Sequence, residues 1–336
     1  MTLIPDRRGT STAGRRRAVR TLLAAVAALV PALAAGQRPI ATEGALDLVL
    51  PTGARAVALG QATMGLDGTT ESVWGNPSGL ARMRGTTAAI HHSQSIAGTA
   101  DAVAVVAHSR MLGSFGVSAS LRDFGPSLSA DDGGAEGGTI LSRSLIYAAT
   151  YAASLDRLNV GLSYKLLQWR VDCSGPCTTE SGILASTSAL DAGAQFSLDP
   201  VLPIRVGASV RNVGLPMQVN DEPQADELPS RLQAGLELRV PGIDAMIAGT
   251  EIRLSADMVS DLRRIDPAPR LGAELAWQRR VHIRGGYASR DAGFGGPSLG
   301  VGYETGNLAI DFARVFDDVS SMTGTEPTYL SVRYRF

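Results

Sequence analysis

The sequence predicts an all-β protein, a transmembrane antiparallel β-barrel of about 14 strands with an N-terminal plug, or hatch, in its lumen. Three observations carry this prediction: polar and apolar residues alternate, the alternating segments have similar lengths, and the connections between them alternate between short and long. Alternation with period two places successive side chains on opposite faces of a strand. A soluble β-sandwich also has one apolar face per strand, but nothing in that fold requires short and long connections to alternate along the chain.

The alternation is clearest between Leu158 and Leu166, where leucine, valine and tyrosine share one face while asparagine, glycine, serine and lysine share the other. Most such segments contain about ten residues, the length of a tilted strand that crosses a bilayer. Their number is even, as in single-chain bacterial barrels. The fourteen predicted strands are 86–96, 100–109, 113–122, 141–154, 157–169, 186–198, 203–212, 230–240, 250–260, 269–278, 280–289, 296–304, 307–316 and 327–336.

The connections indicate which ends of the strands face the cell exterior. Short connections follow the second, fourth, sixth, tenth and twelfth strands, as periplasmic turns do in outer-membrane barrels. Connections 97–99 and 241–249 depart from this rule, because the first is too short and the second too long. Long connections, predicted as external loops, are 123–140, 170–185, 213–229, 261–268 and 317–326.

The polar faces of the predicted strands carry charges of both signs, which predicts a wet lumen with many ion pairs. A lysine or arginine directed at the lipid mid-plane costs about 2–4 kcal/mol, so these side chains are expected to point inward. The charged positions are Arg205, Arg211, Arg231, Arg253, Arg270, Arg284, Glu237, Glu251, Asp257, Glu274 and Asp311.

Aromatic residues are sparse, at 5% of the chain, so only a thin aromatic girdle is expected at the membrane interfaces. Its predicted members are Tyr147, Tyr151, Tyr164, Trp169, Trp277, Tyr287, Tyr303, Tyr329 and Tyr334.

Residues 1–34 have the layout of a secretory signal peptide: arginines first, then the apolar run Leu22–Leu33, then small residues. Cleavage is expected near Ala34–Gly36, and an uncleaved anchor is the alternative. The expected location is therefore the bacterial outer membrane. Without the six arginines and one aspartate of this segment, 25 basic and 31 acidic residues remain. No basic stripe is left, which argues against nucleic acid as a partner.

Residues 35–84 precede the barrel, which is assigned to 85–336, and they show no long alternation. A barrel of about 14 strands is too wide for its own side chains to fill. We therefore expect 45–84 to lie in the lumen as a hatch, with Trp74 and Asn76–Pro77 as interior anchors. A periplasmic tail that merely leads into the barrel is the alternative.

One motif in this segment resembles a known family. Gly53-Ala54-Arg55-Ala56, Leu59-Gly60 and Trp74-x-Asn76-Pro77-Ser78-Gly79-Leu80-Ala81 are similar to the opening of the PorV/PorQ family, which is related to FadL-type fatty-acid transporters. Ser78 stands where the family more often has alanine. The resemblance implies a barrel of about 14 strands with a hatch, and its hatch motif corresponds to Trp74, Asn76, Pro77, Gly79 and Leu80.

The resemblance implies two possible functions, and no motif distinguishes them. FadL-type proteins pass hydrophobic small molecules, which would bind in the lumen. PorV-type proteins assist type IX secretion, with a secreted protein as partner. A hydrolytic barrel enzyme and a purely structural or adhesive barrel are further alternatives.

Catalysis, cofactors and metals have little support in the sequence. The histidines are His91, His92, His108 and His282, and none accompanies a serine elbow or a metal-binding pair. We therefore predict that the protein is not an enzyme, that it has no cofactor and no metal site, and that the histidines are structural or simply face the lumen.

The two cysteines, Cys173 and Cys177, fall in a predicted external loop with a Ser-Gly-Pro turn between them. In an exported protein such a pair is expected to form a disulfide, since a metal site needs further ligands nearby. Other external loops are acidic and are either simply solvated or bridge divalent ions on lipopolysaccharide, a predicted partner together with outer-membrane lipid. These acidic pairs are Asp131-Asp132, Asp221-Glu222, Asp226-Glu227 and Asp317-Asp318.

Overall fold

The computed structural model describes residues 43–130, 136–175, 182–198, 203–219, 225–263, 266–289, 295–317, 324 and 326–336. The predicted signal peptide and its cleavage near Ala34–Gly36 lie outside these residues. So does the beginning of the predicted 35–84 segment. In the described part of the chain, no helix combines the length and the hydrophobicity needed to cross a bilayer.

Fourteen antiparallel strands form a closed barrel, as predicted. Each strand pairs with its neighbours in the chain, except that β7 (Ile204–Gly214) pairs with β10 (Arg231–Arg239), and the ring closes where β1 (Thr86–Ser95) pairs with β16 (Thr328–Arg335). Two short strands, β8 (Met217–Val219) and β9 (Ala225–Asp226), extend from β6 (Ile183–Ser197) beside the barrel. The barrel strands are β1 (Thr86–Ser95), β2 (Gly98–Ser109), β3 (Gly113–Ala130), β4 (Glu136–Leu155), β5 (Leu158–Ser174), β6 (Ile183–Ser197), β7 (Ile204–Gly214), β10 (Arg231–Arg239), β11 (Thr250–Asp261), β12 (Ala268–Trp277), β13 (Val281–Ala288), β14 (Gly296–Thr305), β15 (Leu308–Val315) and β16 (Thr328–Arg335).

Three strands are longer than predicted. The prediction of loops at 123–140 and 170–185 is therefore wrong in part, because strands occupy some of these residues. β3 runs on to Ala130, β4 begins at Glu136, and β5 runs on to Ser174. The 20 residues of β4 span about 65 Å, whereas the hydrocarbon core of a bilayer is about 30 Å thick. Outside the bilayer both faces of a hairpin meet water, so pairing continues after the apolar alternation has ended.

The predicted division into an apolar outer face and a polar lumen is present. Ile90 on the outer face is 61% exposed, whereas the neighbouring His91 in the lumen is 4% exposed. Among the expected girdle residues, Tyr329 is an exception because it is buried and faces inward, so its assignment was wrong. Trp169 is half-buried, and its Nε1 donates a hydrogen bond to Ser142 Oγ over 2.8 Å. Exposed tyrosine and tryptophan side chains on the outer face are Tyr147, Tyr151, Tyr164, Trp277, Tyr287, Tyr303 and Tyr334.

The segment before β1 consists of short helical turns. They are 3-10 helices Leu46–Val49, Thr70–Val73 and Pro77–Arg82, together with the α-helix α1, Ala54–Ala58. A second short helix, α2 (Ile243–Met246), lies in the connection between β10 and β11. The short turns before β1 agree with the absence of long alternation in that part of the sequence.

Candidate functional site

The hatch, defined by residues 43–84, is hydrogen-bonded to the inner wall of the barrel. Ala54 N–H donates to Ser331 Oγ on β16 over 2.8 Å, and Met64 N–H donates to Asp257 Oδ2 on β11 over 3.0 Å. Gln195 on β6 donates to the carbonyls of Met64 and Leu66 over 2.8 and 2.6 Å. Because these partners lie on the inner faces of distant strands, the segment lies in the lumen and is not a tail outside the barrel.

Glycines on the lumenal face of the wall allow the hatch backbone to approach closely. A Cβ atom on Gly207 would lie 2.0 Å from the carbonyl oxygen of Met64, and one on Gly286 would lie 2.1 Å from Gly60 N. Glycine inside a strand often marks such a close backbone approach. These wall glycines are visible in the sequence as interruptions of the strands, but the sequence does not show what approaches them.

A buried charge cluster connects α1 to the wall. Arg55 donates two hydrogen bonds of 3.2 Å to the carboxylate of Glu274 on β12. Glu274 also accepts from Arg284, whose other nitrogen donates to Asp311 over 2.6 Å. The predicted lumenal ion pairs therefore exist, and one of their partners belongs to the hatch.

Glu71 of the hatch supports α1 from the other side. Its carboxylate accepts the backbone N–H of Arg55 over 3.2 Å and that of Ala56 over 2.9 Å. A carboxylate is favourable at these positions because the first backbone N–H groups of a helix lack intrahelical partners. Burial raises the pKa of Glu71 to about 7, and the charge of Asp311 adds to this effect.

The predicted hatch motif forms one turn against β5 and β6. Asn76 Oδ1 accepts the backbone N–H of Ser78 over 3.2 Å and the Ser78 hydroxyl over 2.7 Å, so the serine in place of alanine adds a contact. Pro77 begins the 3-10 helix, where it needs no N–H partner. Leu80 is fully buried, and a Cβ on Gly79 would lie 2.4 Å from Ser72 Oγ. The motif thus has a clear structural basis, and its functional role stays a prediction.

Trp74 is only partly buried because it borders a cavity. Its ring meets the ring of His91 edge-on, with 5.1 Å between centroids, and it packs against the apolar cluster that contains Leu80. The first cavity, of about 40 Å³, is lined by Leu48, Leu50, Trp74 and Ile146 and by the charged Asp47, Arg122 and Lys165.

A second cavity, of about 50 Å³, shares Leu50, Thr52 and Trp74 with the first. Its wall side carries Arg211, Gln233 and Arg270. Since a single water needs about 10–15 Å³ by this measure, each cavity holds only a few waters. The two cavities beside the hatch are therefore small spaces with mixed apolar and charged walls.

The histidines take structural contacts. His91 Nδ1 lies 2.7 Å from Ser331 Oγ, His108 Nδ1 lies 3.0 Å from Ser114 Oγ, and His92 pairs with Asp101 at the exposed surface. His282 Nδ1 lies 3.9 Å from Glu274, beyond hydrogen-bonding distance. Within the described ranges, no hydroxyl, histidine and carboxylate are connected by hydrogen bonds, and no three metal-ligating side chains converge.

The predicted disulfide falls partly outside the described residues. Cys173, at the external end of β5, is not a free thiol, whereas Cys177 lies outside the described ranges, so their pairing stays a prediction. Of the acidic pairs, Glu227 forms an ion pair with Arg263, and Asp317 is buried. The remaining acidic pairs, Asp131-Asp132 and Asp221-Glu222, and Asp318 lie outside the described residues.

Solved structures share this fold. The P. putida toluene transporter TodX matches with a TM-score of 0.56 at 11% sequence identity, over 85% of this chain and 99% of that chain. The Ralstonia pickettii toluene transporter TbuX matches with a TM-score of 0.53 at 13% identity, over 85% and 98%. A Pseudomonas aeruginosa FadL homologue gives a TM-score of 0.50 at 13% identity, over 85% and 99%.

At these identities the likeness establishes the fold, which is that of FadL-type outer-membrane barrels. No protein-family model matches the chain, and no curated protein sequence matches it either. The resemblance to PorV/PorQ therefore stays a prediction, whereas the relation to the FadL-type architecture has structural support.

Proposed function

We propose that this protein is a channel of the bacterial outer membrane through which small hydrophobic molecules enter the cell. The observation that carries the proposal is a closed barrel whose lumen is occupied by a wall-bonded hatch, in the fold of proteins described as toluene transporters. The outer face, with exposed side chains such as Ile90 and Leu162, suits contact with outer-membrane lipid.

The hatch explains how such a channel excludes water-soluble compounds. Its hydrogen bonds to β6, β11 and β16 hold it across the lumen, and the two cavities beside it are small, so among the described residues the hatch obstructs a wide aqueous path of the porin type. A molecule as large as toluene does not fit a cavity of about 40 Å³, and passage therefore requires part of the hatch to move. The segment from Leu50 to Thr52 is the candidate for this movement, because Leu50 and Thr52 line both cavities.

The alternative role as an accessory of type IX secretion has no support in the comparisons, and we do not propose it. A hydrolytic activity has no hydrogen-bonded residue cluster to carry it in the described part of the chain.

The proposal is tested by uptake of labelled toluene in a Gram-negative host that lacks channels of this type. The intact lipopolysaccharide leaflet makes outer-membrane entry rate-limiting at low toluene concentration. We expect several-fold faster initial uptake in cells that display the folded protein than in cells with an empty vector. Equal rates, with the barrel shown to be folded by its heat-dependent gel shift, would reject the proposal. Uptake of glucose serves as the control and should not change.

A further inference from the structure

The exposed arginines at the two ends of the barrel differ in their partners. At the end with the long connections, Arg143 pairs with Asp123 over 2.9 Å, and Arg170 pairs with Asp172 over 2.9 Å. Two further pairs at this end are Arg263–Glu227 and Arg314–Glu326. The positive charge of each of these arginines is therefore balanced by a carboxylate of the protein itself.

At the end with the short connections, six exposed arginines have no carboxylate partner among the described residues. Arg82 and Arg157 donate only to neutral groups, including the carbonyl oxygens of Asp156 and Leu198, each over 2.9 Å. The other four make no side-chain hydrogen bond or ion pair within the described ranges: Arg84, Arg110, Arg279 and Arg280. Two arginines at this end are paired, Arg239 with Glu251 and Arg335 with Glu304.

The unpaired arginines give this end of the barrel a surplus of positive charge. Its exposed acidic side chains among the described residues are fewer, namely Asp156 and Asp244. Arg84 lies directly before β1, where the backbone N–H of His108, near the end of β2, donates to Gly85 O over 3.1 Å. The arginines at 82, 84, 110 and 157 therefore follow one another along the end of the barrel from β1 to β5, and those at 279–280 add a second positive region between β12 and β13.

Large apolar side chains stand beside these arginines. Met111 is 92% exposed at the tip of the connection that contains Arg110, and Leu155 is 61% exposed in the connection that contains Arg157. Trp277, on the lipid-facing side of β12, accepts the backbone N–H of Arg280 at its carbonyl oxygen over 3.0 Å. Cations interleaved with apolar side chains suit the boundary between lipid headgroups and acyl chains, where the apolar groups enter the hydrocarbon and the cations reach phosphate.

We propose that the periplasmic rim, defined by Arg82, Arg84, 110–112, 155–157 and 278–280, binds the phosphate groups of anionic phospholipids. Short connections face the periplasm in outer-membrane barrels, so the lipids belong to the periplasmic leaflet. The rim is continuous with the apolar outer face of the barrel, and its charge is complementary to that of the lipid headgroups. A soluble acidic protein would match the charge but not the position beside the lipid-facing Trp277. The inference goes beyond the passage of hydrophobic molecules and does not depend on it.

Trp277 is a built-in reporter for lipid at the rim. Of the three tryptophans of the chain, Trp74 borders a cavity in the lumen and Trp169 is half-buried and bonded to Ser142, whereas Trp277 is exposed on the outer face. Bromine atoms on a lipid quench the fluorescence of a tryptophan that they touch. Quenching by a brominated lipid, mixed in increasing fractions into unlabelled vesicles, therefore measures the affinity of that lipid for the surface around Trp277.

The purified protein is reconstituted in phosphatidylcholine vesicles that contain brominated phosphatidylglycerol or brominated phosphatidylcholine. At low ionic strength phosphatidylglycerol should be preferred at least fivefold, because each arginine near the bilayer surface attracts an anionic lipid. The preference should fall below twofold in 1 M NaCl, where charges are screened within about 3 Å. Equal affinities for the two lipids at low ionic strength would overturn the proposal in favour of a soluble acidic partner.

The double variant Arg279→Gln, Arg280→Gln removes the two charges nearest to Trp277 and should reduce the preference below twofold. The matched control is Arg143→Gln, Arg170→Gln, which removes two exposed arginines from the opposite end and should leave the preference unchanged. Arg279→Lys, Arg280→Lys keeps both charges and should retain most of the preference. Equal loss in the two glutamine variants would overturn the proposal, because the net charge of the protein and not the rim would then attract the lipid. The heat-dependent gel shift verifies that each variant is folded, and no outcome depends on toluene uptake.

Discussion

Arg55→Met should loosen the hatch while leaving the barrel intact. Arg55 makes two hydrogen bonds to Glu274, and the substitution removes both while roughly keeping the side-chain volume. Glu274 keeps its contact with Arg284 and is not left alone in the lumen. A hydrogen bond to a charged group contributes about 1.5–3 kcal/mol, and the two bonds share one carboxylate, so we expect about 2–3 kcal/mol less stabilisation of the docked hatch.

That loss has a measurable consequence for conductance. Because each 1.4 kcal/mol changes an equilibrium constant tenfold, the displaced hatch should become about 30- to 150-fold more populated. Planar-bilayer recordings should show a correspondingly higher frequency of open events. Arg253→Met is the control, since it removes a lumenal arginine whose ion pair, with Glu251, stays within the wall. An unchanged open frequency in folded Arg55→Met, or the same increase in Arg253→Met, would refute the role of this contact.

Three further predictions concern the hatch and its contacts. Burial raises the pKa of Glu71 from 4.5 to about 7, so the folded protein holds this proton more tightly than the unfolded chain. The free energy of unfolding should therefore fall by up to about 3 kcal/mol as pH rises from 4.5 to 7. Glu71→Gln should flatten the pH dependence of the melting temperature. Gly207→Ala should destabilise the protein by about 1–3 kcal/mol because the new Cβ meets Met64 O, whereas Gly285→Ala, with its nearest atom at 3.6 Å, should be tolerated; equal melting temperatures would contradict this. Deletion of 45–84 should convert the folded barrel into a markedly larger pore in planar bilayers, and unchanged conductance would mean that this segment does not close the lumen.

The barrel wall follows from the amino-acid sequence alone. Strands that cross a membrane must present apolar side chains to lipid and polar side chains to the lumen. Apolar and polar residues therefore alternate along the sequence of each strand, as in Leu158–Leu166. This is why fourteen strands were predicted close to their observed bounds. It also explains the extended hairpins that the pattern missed: β3, β4 and β5 continue where both faces meet water, and the constraint on the sequence disappears.

The contents of the lumen, by contrast, depend on contacts that form only when the whole chain is folded. The sequence placed Arg55, Glu274 and Arg284 on inward or hatch positions, but Arg55 meets Glu274 through a contact between residues 219 positions apart. The inward orientation of Tyr329 depends in the same way on closure of the barrel around the hatch. A local pattern predicts which face of the strand a side chain lies on, because placing a polar side chain in lipid is unfavourable for that residue alone. It does not predict which residue a side chain contacts across the lumen, because that contact depends on how fourteen strands and one hatch pack together.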